Sequence, residues 1–134
     1  MGKDKLRRFR ENLTFDCFVQ PEFDEVFHCD HPLKGRWRGD VFRNDNPIVL
    51  ELGCGKGEYT VALAEHDPSR NYIGIDIKGA RMWRGAKSVT ERKIANAGFL
   101  LTRVEFINGL FAENEVDEIW ITFPDPQLKS RRAK

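Results

Sequence analysis

Three acidic residues stand where a carboxylate could do more than solvate a surface. Glu51 interrupts the apolar run IVLEL, Asp76 closes the run NYIGID, and Asp125 sits between Pro124 and Pro126 directly after IWITF. An acid inside a buried strand is costly unless something pairs it. Glu51 therefore reads either as an anchor for the polar part of a ligand or as a buried carboxylate bonded to backbone N–H groups or a neighbouring cation. Glycines follow at 53, 55 and 57; they permit a tight turn with positive φ, a close backbone approach to a ligand, and a helix start with exposed N–H groups. The Glu51 side chain shares a strand face with position 53. Asp76 lies 19 residues after Gly57, where a carboxylate accepts two hydrogen bonds from a ribose diol; the plain alternative is a cap for a helix beginning at 79. The flanking prolines stiffen the loop that holds Asp125. Lys129, Arg131 and Arg132 come next, placed to meet phosphates of a ligand lying across that edge, or else forming a solvated tail.

Other chemistries fit less well. The nicotinamide-dinucleotide fingerprint wants glycine at its first, third and sixth positions, and the sixth here is Glu58. No Ser-His-Asp or Cys-His arrangement is evident, and His66, at a helix end, reads as a capping or surface residue. The cluster His28-Cys29-Asp30-His31, with Cys17 upstream, holds metal-ligand types, but zinc sites use two paired ligand sets and only one is present. The cluster reads as a polar loop, and no metal is expected.

The elements that must carry these residues follow from period and punctuation. IVLEL is a strand, GCGKG a turn, EYTVALAEH a short helix with Val61, Leu63 and Ala64 inward, and NYIGIDI a second strand. Over 79–97 the spacing of Trp83, Ala86, Thr90, Ile94 and Ala97 predicts a helix closed by Gly98. TRVEFI and EIWITF give two more strands, the latter nearly continuous in apolar residues as a strand buried on both faces would be. Strands alternating with helices imply right-handed crossovers and a parallel sheet, with ligands beyond the carboxyl ends of the strands. Residues 1–47 show no sustained period. They read as an irregular basic and aromatic arm with room for a short helix, its rings (Phe9, Phe15, Phe18, Phe23, Phe27, Trp37, Phe42) packing onto the domain from 48 onward.

With 22 Lys and Arg against 21 Asp and Glu the chain is near neutral, yet its charges are segregated. Residues 78–103 hold seven cations and one acid, and residues 104–126 six acids and no cation. Such polarity, with five cations among the first ten residues, suits a polyanionic partner. No run approaches a membrane span and no apolar segment follows the cationic start, so neither a transmembrane anchor nor a signal peptide is expected. Three cysteines without a close-spaced pair fit a reducing, cytoplasmic setting.

The glycine turn resembles the first motif of S-adenosylmethionine-dependent methyltransferases. LELGCGKGEY, YIGIDIKGAR and ITFPDPQLKSRR, in that order and spacing, are similar to the tRNA (guanine-N7-)-methyltransferase family over roughly residues 34–134, with the FPDP loop as the discriminating motif. The resemblance implies an α/β fold: the Rossmann-like, doubly wound parallel sheet of a class I methyltransferase, here incomplete with about four strands. It divides the chain into the arm, 1–47, and the amino-terminal part of the S-adenosylmethionine-binding domain, 48–134. It implies S-adenosylmethionine as methyl donor and tRNA as partner. Glu51, Gly53, Gly55 and Asp76 would contact the donor, with Asn108 where the family usually carries an aspartate near the adenine. Asp125 would be the active-site carboxylate, Lys129 would touch the substrate, and Arg131 and Arg132 would belong to the RNA-contacting stretch. Gln127 replaces a common tryptophan. Family members continue past this loop with further strands and a Thr/Glu-containing guanine-binding segment, so residues 1–134 alone are expected to be inactive.

That chemistry suits these residues. N7 of guanine carries a free lone pair, so no strong base is required; alignment and a nearby negative charge are. Two rival readings remain: a methyltransferase of the same fold acting on a small molecule or protein, and a non-catalytic cofactor- or RNA-binding module. Steep salt dependence of tRNA binding would favour the RNA reading.

Overall fold

The computed structural model describes residues 2–121 of the chain. Five parallel strands form one sheet: β1 (Phe18–Val19), β2 (Ile48–Leu52), β3 (Asn71–Asp76), β4 (Ala97–Leu101) and β5 (Glu118–Ile121), in the order β1-β4-β3-β2-β5. Helices α3 (Glu58–His66) and α4 (Gly79–Arg92) make the crossovers from β2 to β3 and from β3 to β4. β5 then pairs with the other edge of β2, with Leu50 opposite both Ile73 and Ile119. The direction of winding reverses at β2, and in open sheets of this kind ligands bind at the carboxyl edge beside that reversal.

Alternate side chains of each strand enter opposite faces. Val49 and Tyr72 join Val61, Ala64, Met82, Ala86, Val89 and Phe99 in the core under α3 and α4. Ile48, Leu50, Ile73 and Ile75 form a second core with Val26, Trp37, Phe42, Leu110 and Phe111. The arm thus supplies much of the cover for the second face. Trp37 is 1% exposed, stacks on Phe111 at 4.9 Å and donates its indole N–H to the Leu110 carbonyl at 2.8 Å. Burying a large apolar side chain is worth roughly 1.5–3 kcal/mol, which explains why a segment without period stays on the sheet. Glu115, buried behind it, accepts backbone N–H groups from Gly35, Trp37 and Ala112 at 2.8–3.0 Å.

The arm is also more regular than expected. Helix α1 (Gly2–Asn12) lies along α4, the one-turn α2 spans Phe23–Val26, a π-helical turn covers Trp37–Phe42, and β1 adds a fifth strand at the sheet edge. Trp83 of α4 anchors α1: its indole N–H donates to Glu11 at 2.7 Å, and the Arg7 and Arg8 guanidiniums lie over its ring at 5.2 and 4.5 Å.

Three expectations are corrected. The helix from 79 stops at Arg92, because Lys93 takes the left-handed conformation (φ 56°) and caps it; Ala97 and Gly98 belong to β4. The strand expected over 102–107 is instead a 3₁₀ turn, Val104–Gly109, while the strand is AGFLL, buried along most of its length as a central strand should be. β5 is not buried on both faces: Ile119, Trp120 and Ile121 are 52%, 48% and 60% exposed, since among the described residues it pairs only with β2.

Candidate functional site

The carboxyl ends of β2 and β3 bring Glu51, Gly53, Gly55 and Asp76 together. Gly53, Gly55 and Gly57 have φ of 77°, 57° and 78°, the left-handed region where a side chain is strained. The turn is tied to the neighbouring strand: Gly53 and Cys54 donate N–H to the Ile75 carbonyl at 2.8 and 3.0 Å, and Gly55 donates to Asp76 Oδ2 at 2.8 Å. Asp76 Oδ1 accepts the Ile77 N–H at 2.6 Å. The carboxylate therefore does not cap α4, whose first residue follows Lys78 with no side-chain cap. It braces the glycine turn, and with one backbone donor on each oxygen among the described residues it keeps acceptor capacity for a diol.

Gly57 is required for a second reason. A Cβ there would stand 2.6 Å from Phe99, and one at Gly74 or Gly85 would stand 2.9 or 2.5 Å from the same ring. One phenylalanine of β4 thus fills a nest formed by three glycines from the turn, β3 and α4, fixing the height of the turn above the sheet.

Glu51 is 5% exposed, and its Oε1 accepts the hydroxyl of buried Thr60 at 2.6 Å. Thr60 lies in the first turn of α3, so the carboxylate joins the strand to the helix that follows the turn. Both acids act on Cys54 between them: its thiol pKa is pushed well up, chiefly by burial and then by the negative charges of Asp76 and Glu51, with Arg81 opposing weakly. The two carboxylates thus place negative charge on either side of the turn, with the Arg81 guanidinium 3.7 Å from where a Gly55 side chain would begin.

Asn108 lies elsewhere. It is exposed at the end of the 3₁₀ turn and lines a cleft with Phe27, His28, Asp30 and Lys34 rather than with the glycine turn. Asp125, Lys129, Arg131 and Arg132, with Gln127, lie outside the described residues. In the 28–31 cluster Cys29 donates to the Asp24 carbonyl at 3.1 Å, Asp30 pairs with Lys34 at 3.0 Å, His31 Nδ1 accepts the Leu33 N–H at 3.0 Å, and the His28 ring packs edge-on against Phe27. No helix of the described residues is long and apolar enough to cross a membrane.

Sequence reasoning missed Thr60, Phe99 and the Asp76–Gly55 bond. Only Thr60 left a signal, a hydroxyl in the first helical turn after a glycine loop, where it can reach back to the strand.

Comparison with known proteins places this arrangement. A family model described as "putative methyltransferase" matches residues 45–134. The tRNA (guanine-N(7)-)-methyltransferase of Christiangramia forsetii is 58% identical over 133 residues, 99% of this chain and 59% of that protein. That of Bacteroides fragilis is 48% identical over 129 residues, 96% of this chain and 51% of that protein. The chain spans about half the length of the curated relatives it matches. Among solved structures, the antibiotic-resistance methyltransferase Kmr superimposes with a TM-score of 0.58 at 21% identity, covering 67% of this chain and 48% of that one. The 16S rRNA methyltransferase KamB does so with a TM-score of 0.52 at 25% identity, covering 63% and 40%. The parallel sheet wound in both directions from β2, the glycine turn at its carboxyl edge and the match over residues 45–134 agree: the chain belongs to this methyltransferase family.

Proposed function

We propose that the protein, at the length of its relatives, transfers a methyl group from S-adenosylmethionine to N7 of a guanine in tRNA, in the cytoplasm. The observation that carries this reading is the 58% identity with a tRNA (guanine-N(7)-)-methyltransferase across 99% of the chain.

The residues beside the glycine turn fit the donor. When bound, it supplies a methyl group activated by a positively charged sulfur. Asp76 accepts the ribose hydroxyls with the capacity left after Gly55 and Ile77. Gly53 and Gly55, lacking side chains, let the backbone come against the polar end of the donor, and the negative charge of Glu51 complements its cationic groups. Asn108, at the end of the 3₁₀ turn, is assigned to the adenine by resemblance and would offer it a side-chain amide.

The guanine N7 lone pair attacks the methyl carbon, the carbon–sulfur electron pair leaves with sulfur, and the purine becomes cationic. No proton need be removed first. Asp125 is assigned to stabilise that developing charge and to place the base. Lys129, Arg131 and Arg132 hold the RNA through its phosphates, which position without specifying sequence. The test is methylation of a tRNA transcript with labelled donor, followed by digestion to nucleosides: label in 7-methylguanosine supports the reading, and label in any other nucleoside or none overturns it.

A further inference from the structure

One row of the sheet crosses all five strands: Phe18, Phe99, Gly74, Glu51 and Trp120 stand in register from β1 through β4, β3 and β2 to β5. Glu51 is the one charged residue of the row, and its neighbour in β3 has no side chain. Atoms from other elements take the space that Gly74 leaves. A Cβ on Gly74 would stand 2.8 Å from the Thr60 hydroxyl oxygen, 2.9 Å from the Phe99 ring and 3.0 Å from Cys54 Cβ. Thr60, itself 1% exposed, thus reaches from the first turn of α3 down to the sheet, where its hydroxyl donates to Glu51 Oε1 at 2.6 Å.

A threonine within a helix can turn its hydroxyl to a carbonyl one turn back. Thr60 gives its proton instead to a side chain of another element. At 2.6 Å the contact has the length of a charge-assisted bond, and a donor of this kind favours the ionised carboxylate. Threonine is stiff at χ1, so a hydroxyl carried by a rigid helical turn fixes where Oε1 stands. Valine, of nearly the same shape, would fill the same space but could not orient an acid.

We propose that Thr60 is a positioning residue for the methyl donor: its hydroxyl sets the orientation of the Glu51 carboxylate, and hence where negative charge faces the donor's cationic groups, without touching the donor itself. The inference rests on the reading that Glu51 faces S-adenosylmethionine. It carries a consequence for specificity. Thr60 matters for the charged donor and not for 5′-methylthioadenosine, which keeps the adenine and ribose but has neither the sulfonium nor the amino-acid group.

The test uses the full-length protein, with S-adenosylmethionine binding measured by calorimetry and 5′-methylthioadenosine added as a competitor. Thr60→Val should weaken S-adenosylmethionine binding roughly ten-fold, and Thr60→Ser, which restores the hydroxyl, should return it to the wild-type value. The competition constant of 5′-methylthioadenosine should be the same in wild type and Thr60→Val, a result that a collapsed glycine turn would not give. In a Glu51→Gln background Thr60→Val should cost little more, because the charge it orients is gone. Thr60→Ala, which also lacks the hydroxyl, supplies the same comparison if the valine variant does not fold. Equal loss of both ligands overturns the proposal, as does an undiminished effect of Thr60→Val beside Glu51→Gln, or a serine variant as weak as the valine one. Wild-type protein that binds no S-adenosylmethionine overturns the donor reading and the proposal together, whereas wild-type binding with an indifferent Thr60→Val overturns the proposal alone.

Discussion

Replacing Asp76 by alanine separates the two jobs that the structure gives this carboxylate. In the folded chain it accepts the Gly55 N–H at 2.8 Å and the Ile77 N–H at 2.6 Å. Hydrogen bonds to charged groups contribute about 1.5–3 kcal/mol each when desolvated, but Asp76 is half-buried and water can reach the freed donors, so about 1 kcal/mol each is the better figure. Asp76→Ala should therefore cost about 2 kcal/mol of folding stability. Two ribose hydrogen bonds add a separate loss of about 1–3 kcal/mol in donor affinity, or about 5- to 150-fold in Kd. Asp76→Asn keeps the shape and one acceptor oxygen and should fall between wild type and Ala on both scales. Urea denaturation measures the first quantity, and titration calorimetry with S-adenosylmethionine the second, at temperatures where both variants remain folded. Loss of stability with donor affinity unchanged would leave Asp76 as a brace for the turn and remove it from the binding site. Unchanged stability would refute the weight given to the two backbone bonds.

Other consequences are equally open to measurement. Gly57→Ala puts a Cβ 2.6 Å from Phe99 at a φ of 78°; left-handed strain and overpacking together should cost about 2–5 kcal/mol in denaturation, whereas Gly39→Ala, with nothing within 4 Å, should be nearly neutral. Because burial and the neighbouring acids push the Cys54 thiol up, it should stay protonated and resist iodoacetamide across the alkaline range where free thiols ionise, reacting only on unfolding, while exposed Cys29 is labelled promptly; mass spectrometry of peptides reads this, and fast labelling of native Cys54 would contradict the field assigned to the turn. Asp125→Asn in the full-length protein should keep tRNA affinity while kcat falls by roughly two powers of ten, and Lys129→Ala should instead raise KM and flatten the salt dependence; wild-type kcat in Asp125→Asn would take that residue out of the mechanism.

The sequence disclosed those parts of the molecule whose signal is local. Glu51, the three glycines and Asp76 occupy a strand end, a turn and a strand end, so period and punctuation placed them at one edge of a parallel sheet. Of the arm's rings, Phe18, Trp37 and Phe42 were legible as cover and are buried, whereas Phe9, Phe23 and Phe27, read in the same way, stay 40%, 61% and 47% exposed. Where the signal was not local, the reading failed. The end of α4 is set by Lys93 adopting a conformation that glycine usually takes, and Gly98, which looked like that cap, lies in β4. TRVEFI alternates like a strand, but Arg103 and Glu105 pair at 2.8 Å on an exposed 3₁₀ turn, while AGFLL, with its helix-tolerant residues, carries the strand pairing. The Phe99 nest depends on three glycines distant in sequence, and no spacing rule connects them. Apolar composition also could not tell that Trp120 stands half exposed among the described residues, since burial of a strand depends on what lies over it.

The central claim is that the reacting atom is N7 of guanine in RNA, and one substitution in the substrate addresses that atom alone. A tRNA transcript made with 7-deazaguanosine has carbon in place of N7 and keeps the base-pairing edge. Incubated with the full-length protein and labelled S-adenosylmethionine, the ordinary transcript should take up methyl label and the 7-deaza transcript none, although both bind with similar affinity. Equal labelling of the two transcripts would contradict the account.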